Sequence, residues 1–188
     1  MGAAEKLQPQ KLTVQEYFEL ERTSDIRHDY HGGEIVNLAG ASKRHNRIIR
    51  NLILALDPAI REKGCDIHVE GVMTQVHQMD TFVYPDAVIS CEREEDDPYL
   101  IESPQIIMEV LSPSTETYDR GLKLKKYMAT PSIRQVILIS QNETKVEVYK
   151  KQSDTFFEVH ILSKLEEEIQ LTGMNITFSL TDIYRGIS

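Results

Sequence analysis

Two acidic residues stand at positions where a carboxylate is costly. Asp86 follows Pro85 and directly precedes the apolar run 87–89, and Glu109 interrupts the apolar run 106–111, which otherwise has the composition of a fully buried strand. A lone ionised carboxylate in an apolar interior is so unfavourable that it is normally paired, protonated or bound to a metal. Two acids on neighbouring strands therefore predict a cation between them.

These acids match the requirements of phosphodiester hydrolysis. That reaction needs a nucleophilic water, a cation that lowers the pKa of this water, and stabilisation of the charge that develops on the phosphate. Asp86 and Glu109 would supply the hard oxygen ligands that Mg²⁺ prefers. Glu34, which follows two glycines, would add a ligand or hold a metal-bound water. A nearby lysine would orient or deprotonate the attacking water.

The composition is that of a chain that folds without disulfide or metal support. A length of 188 residues with 40% hydrophobic residues predicts one domain, at residues 13–188, after a flexible N-terminus at 1–12. No apolar run approaches the roughly 20 residues of a membrane span, and the first residues lack the apolar core of a signal peptide. We therefore expect a cytoplasmic protein, in which Cys65 and Cys91 are reduced thiols.

The net charge of −9 argues against a generally basic nucleic-acid binder, because phosphate contacts depend on Lys and Arg. Any surface that contacts DNA must therefore be local. Negative charge is concentrated at 92–97 and 166–168, which we expect to be solvated loops, whereas the segment 120–126 is positive. Within that segment, Arg120 and Lys125 are candidate phosphate contacts.

Helix and turn signals in the first third of the chain predict the elements that precede Asp86. Thr13 begins a short helix with a capping box, and strands flank the Gly32-Gly33 turn. Ser42 caps a long helix that ends near Lys63, and Pro58 is expected to kink or split this helix.

Periodicity in the rest of the chain predicts an α/β fold, a single domain with a mixed central β-sheet flanked by helices. The elements expected in order are a strand at 66–77, the central strand at 105–111, a helix from 117 or 119 to 130, strands at 135–139, 145–150 and 155–162, an edge strand at 168–171 and a helical turn at 180–184. The central strand contains Glu109, so its two neighbours and the helix after it must complete the site.

Several segments resemble a known family. Pro85-Asp86 followed by Glu109-Val110-Leu111 resembles the acid pair of PD-(D/E)XK nucleases, with Leu111 where that motif has its lysine. Nearly the whole chain, from about residue 13 to 184, resembles the Uma-two family of restriction endonucleases, and the segments that carry this resemblance are 33–36, 41–46, 109–115, 119–127 and 146–149.

The resemblance implies a restriction-endonuclease-like fold in which the lysine has moved to the helix after the central strand, where Lys123 stands. It implies a DNA endonuclease that depends on Mg²⁺ or Mn²⁺, with Asp86 and Glu109 as metal ligands, Lys123 assisting the water and Glu34 auxiliary. His45 lies at a family position near a helix start and is a capping, substrate-facing or catalytic residue. Gly32 departs from the family, in which an acid commonly precedes the Gly-Glu pair.

Other interpretations stay open on the sequence alone. The displaced lysine and the acidic net charge also fit a nuclease-derived binding or accessory module without catalysis. Asp86 is otherwise an ordinary turn residue, Glu34 an exposed hairpin acid and Lys123 a solvated helix charge. If the chain does cut both strands of a duplex with one site per chain, it must act as a homodimer, with the early helix or the late hairpins at the interface.

Overall fold

A computed structural model describes residues 11–38, 40–76, 80–91 and 98–187. Residues 1–10 of the flexible N-terminus predicted at 1–12, and the acidic run at 92–97, lie outside the described residues. The helices are α1 Val14–Thr23, α2 Lys43–Arg61, α3 Glu116–Tyr118, α4 Leu124–Met128 and α5 Leu180–Ile183. The strands are β1 His28–His31, β2 Glu34–Asn37, β3 Asp66–Val69, β4 Met73–Val76, β5 Thr81–Val83, β6 Ala87–Ser90, β7 Leu100–Ile101, β8 Ile106–Leu111, β9 Gln135–Ser140, β10 Val146–Ser153, β11 Phe156–Leu162, β12 Glu168–Leu171 and β13 Ile176–Ser179.

A mixed six-stranded sheet forms the centre of the molecule, in the order β11-β10-β9-β8-β6-β3. Only β8 and β9 run parallel within it, and the other neighbours are antiparallel. Parallel neighbours require a crossover connection, which the helical segment 116–128 provides. The mixed α/β architecture predicted from the sequence is confirmed.

A second sheet, in the order β2-β1-β5-β4-β7, lies under α1. Its β1–β2 hairpin pairs His31 with Glu34 across the predicted two-glycine turn. Gly32 and Gly33 both have positive φ angles, of 56° and 105°, as this turn requires. A Cβ atom at Gly33 would lie 2.7 Å from the Cβ of Lys11, so only glycine fits there.

The two faces of β8 pack against different layers. Ile106, Met108 and Val110 belong to the core that α2 and α5 cover, whereas Ile107 and Leu111 belong to the core under the segment 116–128. Because side chains alternate along a strand, Glu109 points to the same side as Ile107 and Leu111. Glu109 therefore faces the helical segment that follows it in the chain.

The two predicted helix starts are confirmed in detail. Thr13 and Glu16 form the capping box of α1, and the Ser42 hydroxyl accepts a hydrogen bond from the His45 amide at the start of α2. Pro58 lies inside α2 near its end, and the helix continues through it to Arg61. The expectation that Pro58 could split this helix is therefore wrong. No helix in the described ranges is long and apolar enough to span a membrane.

The sequence-predicted strand at 66–77 is two strands in different sheets, β3 and β4. The chain turns between them at Glu70 and Gly71, which both have positive φ angles. The alternating pattern is continuous along the sequence, but one residue with positive φ is enough to end a strand.

The expectation of reduced thiols is also wrong, since Cys65 and Cys91 form a disulfide. Antiparallel pairing of β3 with β6 aligns Asp66 with Ser90, so the residues just beyond this pair face each other. Sequence spacing does not reveal this register, which is why the pairing was missed.

Reduction of this disulfide should lower the free energy of unfolding, because the bridge closes a loop across a sequence separation of 26 residues. Chain-entropy arguments give about 3.5 kcal/mol for a loop of this size. Chemical denaturation with and without a reductant measures the difference, and the Cys65→Ala/Cys91→Ala variant is the control that should not respond. Equal stability of the oxidised and reduced wild-type protein would contradict this prediction.

Candidate active site

Asp86 and Glu109 meet at the junction of β6 and β8. The antiparallel register pairs Ala87 with Met108, so Asp86 and Glu109 are the next pair along. The Asp86 amide lies 3.3 Å from Glu109 Oε2, and the Val110 amide donates a 2.6 Å hydrogen bond to Asp86 Oδ2. The two acids that the sequence singled out are therefore neighbours.

Lys123 lies directly against Glu109, one member of this pair. Its Nζ is 2.7 Å from Glu109 Oε1, and its side chain is only 4% exposed. The same ammonium lies 3.6 Å from Asp119 Oδ1 and 3.8 Å from Asp29 Oδ2. The structure thus places the lysine of the following helical segment beside Glu109 of the central strand.

The helical segment changes its pitch at this lysine. Asp119–Lys123 form a π-helical turn between α3 and α4, in which the Leu124 amide contacts the Asp119 carbonyl. Asp119 and Lys123 are both buried on the side that faces Glu109, whereas Arg120 points to a different side. Single π-helical turns occur often at functional sites, and this one sets the direction of the lysine.

Asp29 is a site residue that the sequence analysis missed. It lies in β1 and is fully buried. Its Oδ1 accepts a hydrogen bond from the Tyr84 amide, and its Oδ2 accepts one from the Tyr118 hydroxyl. An acid inside a predicted strand was the signal that identified Glu109, and the same signal was present at Asp29.

Two tyrosines form hydrogen bonds with the buried acids. The Tyr127 hydroxyl donates to Glu109 Oε1, and the Tyr118 hydroxyl, which donates to Asp29, is also 2.5 Å from His31 Nε2. Burial, followed by the charges of nearby acids, raises the pKa of both tyrosines well above the usual value. Both hydroxyls therefore keep their protons and fix the orientation of the carboxylates.

The site contains more acidic than basic side chains. Among the described residues, the four carboxylates of Asp29, Asp86, Glu109 and Asp119 surround the single ammonium of Lys123. Burial raises the pKa of Glu109 to about 8, and the nearby charges of Asp86 and Asp119 act in the same direction, against the opposing effect of Lys123. Burial disfavours charge on Lys123 too, but the surrounding acids outweigh it and raise the pKa of the lysine.

His45 holds the outer oxygen of Asp86. Its Nε2 lies 3.0 Å from Asp86 Oδ2. Burial favours the neutral imidazole, but the hydrogen bond and charge of Asp86 outweigh it and raise the pKa of His45. Ser42, not His45, is therefore the helix cap, and His45 contacts one of the two acids.

The other sequence-predicted residues lie outside these contacts. Glu34 is exposed on β2, and its carboxylate lies 3.7 Å from Lys11. Arg120 pairs with Glu116 and with Glu147 of β10, and Lys125 is exposed on α4. The structure does not bring Glu34 into contact with Asp86, Glu109 or Lys123 within the described residues.

The donor set fits a hard divalent cation. The buried acids offer oxygen ligands only, and Mg²⁺ binds few protein carboxylates while it keeps several waters. Asp86 is the most accessible of them, with 22% of its side chain exposed. As the side chains stand, no group of three or more His, Cys, Asp or Glu residues in the described ranges could hold a metal ion. A cation held here would therefore have two carboxylates and water as its ligands.

The raised pKa of Glu109 predicts a pH-dependent stability. Between pH 4.5, the usual pKa of a glutamate carboxyl, and about 8, the unfolded chain releases a proton that folded Glu109 keeps, so stability falls as pH rises. In a buffer that contains a metal chelator, the free energy of unfolding of the wild type should fall by several kcal/mol over this pH range relative to that of Glu109→Gln. One unit of pKa corresponds to about 1.4 kcal/mol.

Denaturant titrations at a series of pH values measure this difference. The Glu34→Gln variant is the matched control, because it removes an exposed acid and should follow the wild-type curve. Parallel curves for wild type and Glu109→Gln would contradict a raised pKa.

Comparisons with known proteins identify relatives of this chain. The chain is 28% identical over 179 residues to the uncharacterized protein slr1290 of Synechocystis. The aligned region covers 95% of this chain and 94% of that relative. It is 29% identical over 168 residues to sll1609 of the same organism, covering 88% and 95%.

A solved structure shares the fold. It is described as a putative nuclease from Anabaena variabilis, with a TM-score of 0.77, 15% identity, and coverage of 92% of this chain and 97% of that one. The family model described as "Putative restriction endonuclease" (Uma2, or Uma-two) matches residues 14–181. The fold is restriction-endonuclease-like, and the chain belongs to the Uma-two family.

Proposed function

We propose that this protein is a Mg²⁺-dependent DNA endonuclease, with Mn²⁺ as an alternative ion. The observation that carries the proposal is the position of Lys123, whose ammonium lies 2.7 Å from Glu109 in a family described as restriction endonucleases. A buried lysine beside paired acids favours hydrolysis over a non-catalytic module, since a binding surface does not require this arrangement. Asp86 and Glu109 would hold the ion, which when bound activates water and neutralises charge on the phosphate.

The side chains of the protein have separate tasks in this proposal. Lys123, which the surrounding acids keep protonated, donates to the phosphate oxygens and stabilises the negative charge that develops during cleavage. Tyr127 fixes the orientation of Glu109, and His45 fixes that of Asp86. Asp29 holds Lys123 from the opposite side. Glu34 keeps the auxiliary role only as an expectation from the sequence.

Substitution of either acid should abolish DNA cleavage. Asp86→Asn and Glu109→Gln preserve shape and remove the charge that binds the ion, so both should weaken Mg²⁺ binding in calorimetry and eliminate nicking of a supercoiled plasmid. The Glu168→Gln variant, which removes an exposed acid of β12, is the matched control for loss of one acid. Full divalent binding by both site variants would show that the metal site is elsewhere. Absence of cleavage by the wild type at any Mg²⁺ or Mn²⁺ concentration would favour the non-catalytic module.

The lysine provides the sharper test. Lys123→Met keeps the length of the apolar stem, and it should lower the cleavage rate by about 10²-fold or more, because a stabilising donor is lost. Metal affinity should stay unchanged or rise, since a like charge beside the ion has been removed.

The control is Lys125→Ala, which removes an exposed lysine two residues away and should leave the rate at saturating DNA unchanged. Because a missing buried ammonium destabilises the fold, circular dichroism must first show that Lys123→Met is folded. A folded Lys123→Met variant with the wild-type cleavage rate would refute the catalytic role.

We further propose that two chains form a dimer through β11. This strand is an edge of the central sheet, and it exposes Val159 and Ile161. In an antiparallel pair centred on Val159, Glu158 of one chain lies opposite His160 of the other, so the edge is complementary to itself. A dimer would supply two sites for the two strands of a duplex.

Sedimentation at micromolar concentration tests the dimer. Val159→Lys/Ile161→Lys should give a monomer, because lysines on an edge strand prevent pairing with another edge. Leu54→Lys, at an exposed position on α2, is the control that should stay dimeric. A monomeric wild type would refute the β11 interface. The activity expected of such a monomer is the nicking of one DNA strand.

A further inference from the structure

A groove next to the candidate active site carries positive charge on an otherwise acidic protein. It has a volume of about 590 Å³ and is lined by the first turns of α2 and by Glu70. Lys43, Arg47 and Arg50 line one wall, and all three are exposed. Within the described residues, none of the three forms an ion pair with an acid. Their charges are therefore available to a ligand.

These three cations form one stripe along the helix. Positions separated by three or four residues lie on the same helical face, and the buried face of α2 contains Ile48, Ile49 and Leu52 instead. At about 1.5 Å per residue, the stripe from Lys43 to Arg50 is about 10 Å long. A strand of DNA carries one phosphate per roughly 3.4 Å of helix axis, so about three phosphates fit along this length.

Both walls of the groove are attached to Asp86. His45 lies between Lys43 and Arg47 in the sequence of α2 and contacts Asp86 Oδ2 from the inner face of the helix. On the other wall, the Glu70 amide donates to the Asp86 carbonyl at 3.3 Å. Two elements that border the groove, α2 and the turn at Glu70, therefore contact Asp86, the more accessible of the two acids.

We propose that this groove, the α2 groove, binds the phosphate backbone of the DNA strand that enters the site. The proposal rests on the proposed function, because it names a contact surface for the same substrate. Lys43 and Arg50 contact phosphates directly. Arg47 also donates a 2.7 Å hydrogen bond to the Gly186 carbonyl, so it links the groove to the C-terminal segment. Among the described residues that line the groove, Glu70 is the one acid, and it limits affinity.

The test compares DNA binding of Lys43→Ala/Arg50→Ala with that of the wild type. Fluorescence polarisation with a labelled 20-base-pair duplex, in Ca²⁺ buffer, gives the affinity across a salt series. Loss of two phosphate contacts should weaken binding roughly 60-fold at 0.1 M salt, and reduce the slope of log K against log salt by about 2. The effect should be the same for unrelated sequences, since backbone contacts carry no sequence information.

Two further variants make the result specific. Arg22→Ala/Lys164→Ala removes two exposed cations outside the groove lining and should bind DNA like the wild type. Glu70→Gln should tighten binding severalfold, because it removes the groove's acid. Both cations of the test variant are exposed, so its thermal stability should equal that of the wild type.

The outcomes separate this inference from the proposed function. DNA cleavage by the wild type with unchanged binding in Lys43→Ala/Arg50→Ala would overturn the groove alone. Groove-dependent binding without cleavage at any divalent concentration would overturn the endonuclease alone. Preference of at least tenfold for RNA of the same sequence would replace DNA as the occupant. A wild type that binds neither nucleic acid would overturn the groove as a phosphate site.

Discussion

The buried ammonium of Lys123 is the charge on which the site depends. Its contacts reach Glu109 on the central sheet, Asp29 on the second sheet and Asp119 on the covering helical segment. Three carboxylates from three layers would otherwise repel one another in a region with little water to screen them. The lysine therefore joins the layers as well as the acids. Removal of one partner from a buried ion cluster leaves an uncompensated charge and costs several kcal/mol.

The π-helical turn at Asp119–Lys123 explains how one short helical segment serves two purposes. Asp119 and Lys123 point inward to the acids. Arg120 points elsewhere, where it pairs with Glu116 and with Glu147 of β10, and this contact fixes the segment against the central sheet. A lysine on a helix can replace the strand lysine of a PD-(D/E)XK motif only if the helix lies close to the strand. The inward direction of Lys123 and the ion pair between Arg120 and Glu147 hold the helical segment close to the strand.

The sequence predicted local features well and tertiary neighbours poorly. Asp86 and Glu109 were found because each acid disturbs an apolar run, and the capping of α1 and α2 followed from residues three positions apart. Lys123 required the family resemblance, since nothing local separates it from Lys125. Asp29 was missed although it also lies inside a predicted strand, because its neighbours His28 and Tyr30 do not form the apolar run that made Glu109 conspicuous. The Cys65–Cys91 disulfide depends on strand register.

The charge balance of the site also restricts how a polyanionic substrate can approach it. Four acidic side chains around one ammonium disfavour the approach of phosphate. Burial raises the pKa of Glu109, and the neighbouring acids Asp86 and Asp119 add to this effect. Because Lys123 is already engaged by Glu109, it cannot by itself attract a DNA strand from solution. In the proposed function, attraction would come from cations outside the cluster, such as the exposed cations of α2 that line the α2 groove. The proposals thus assign DNA binding to exposed positive charges and catalysis to a buried one.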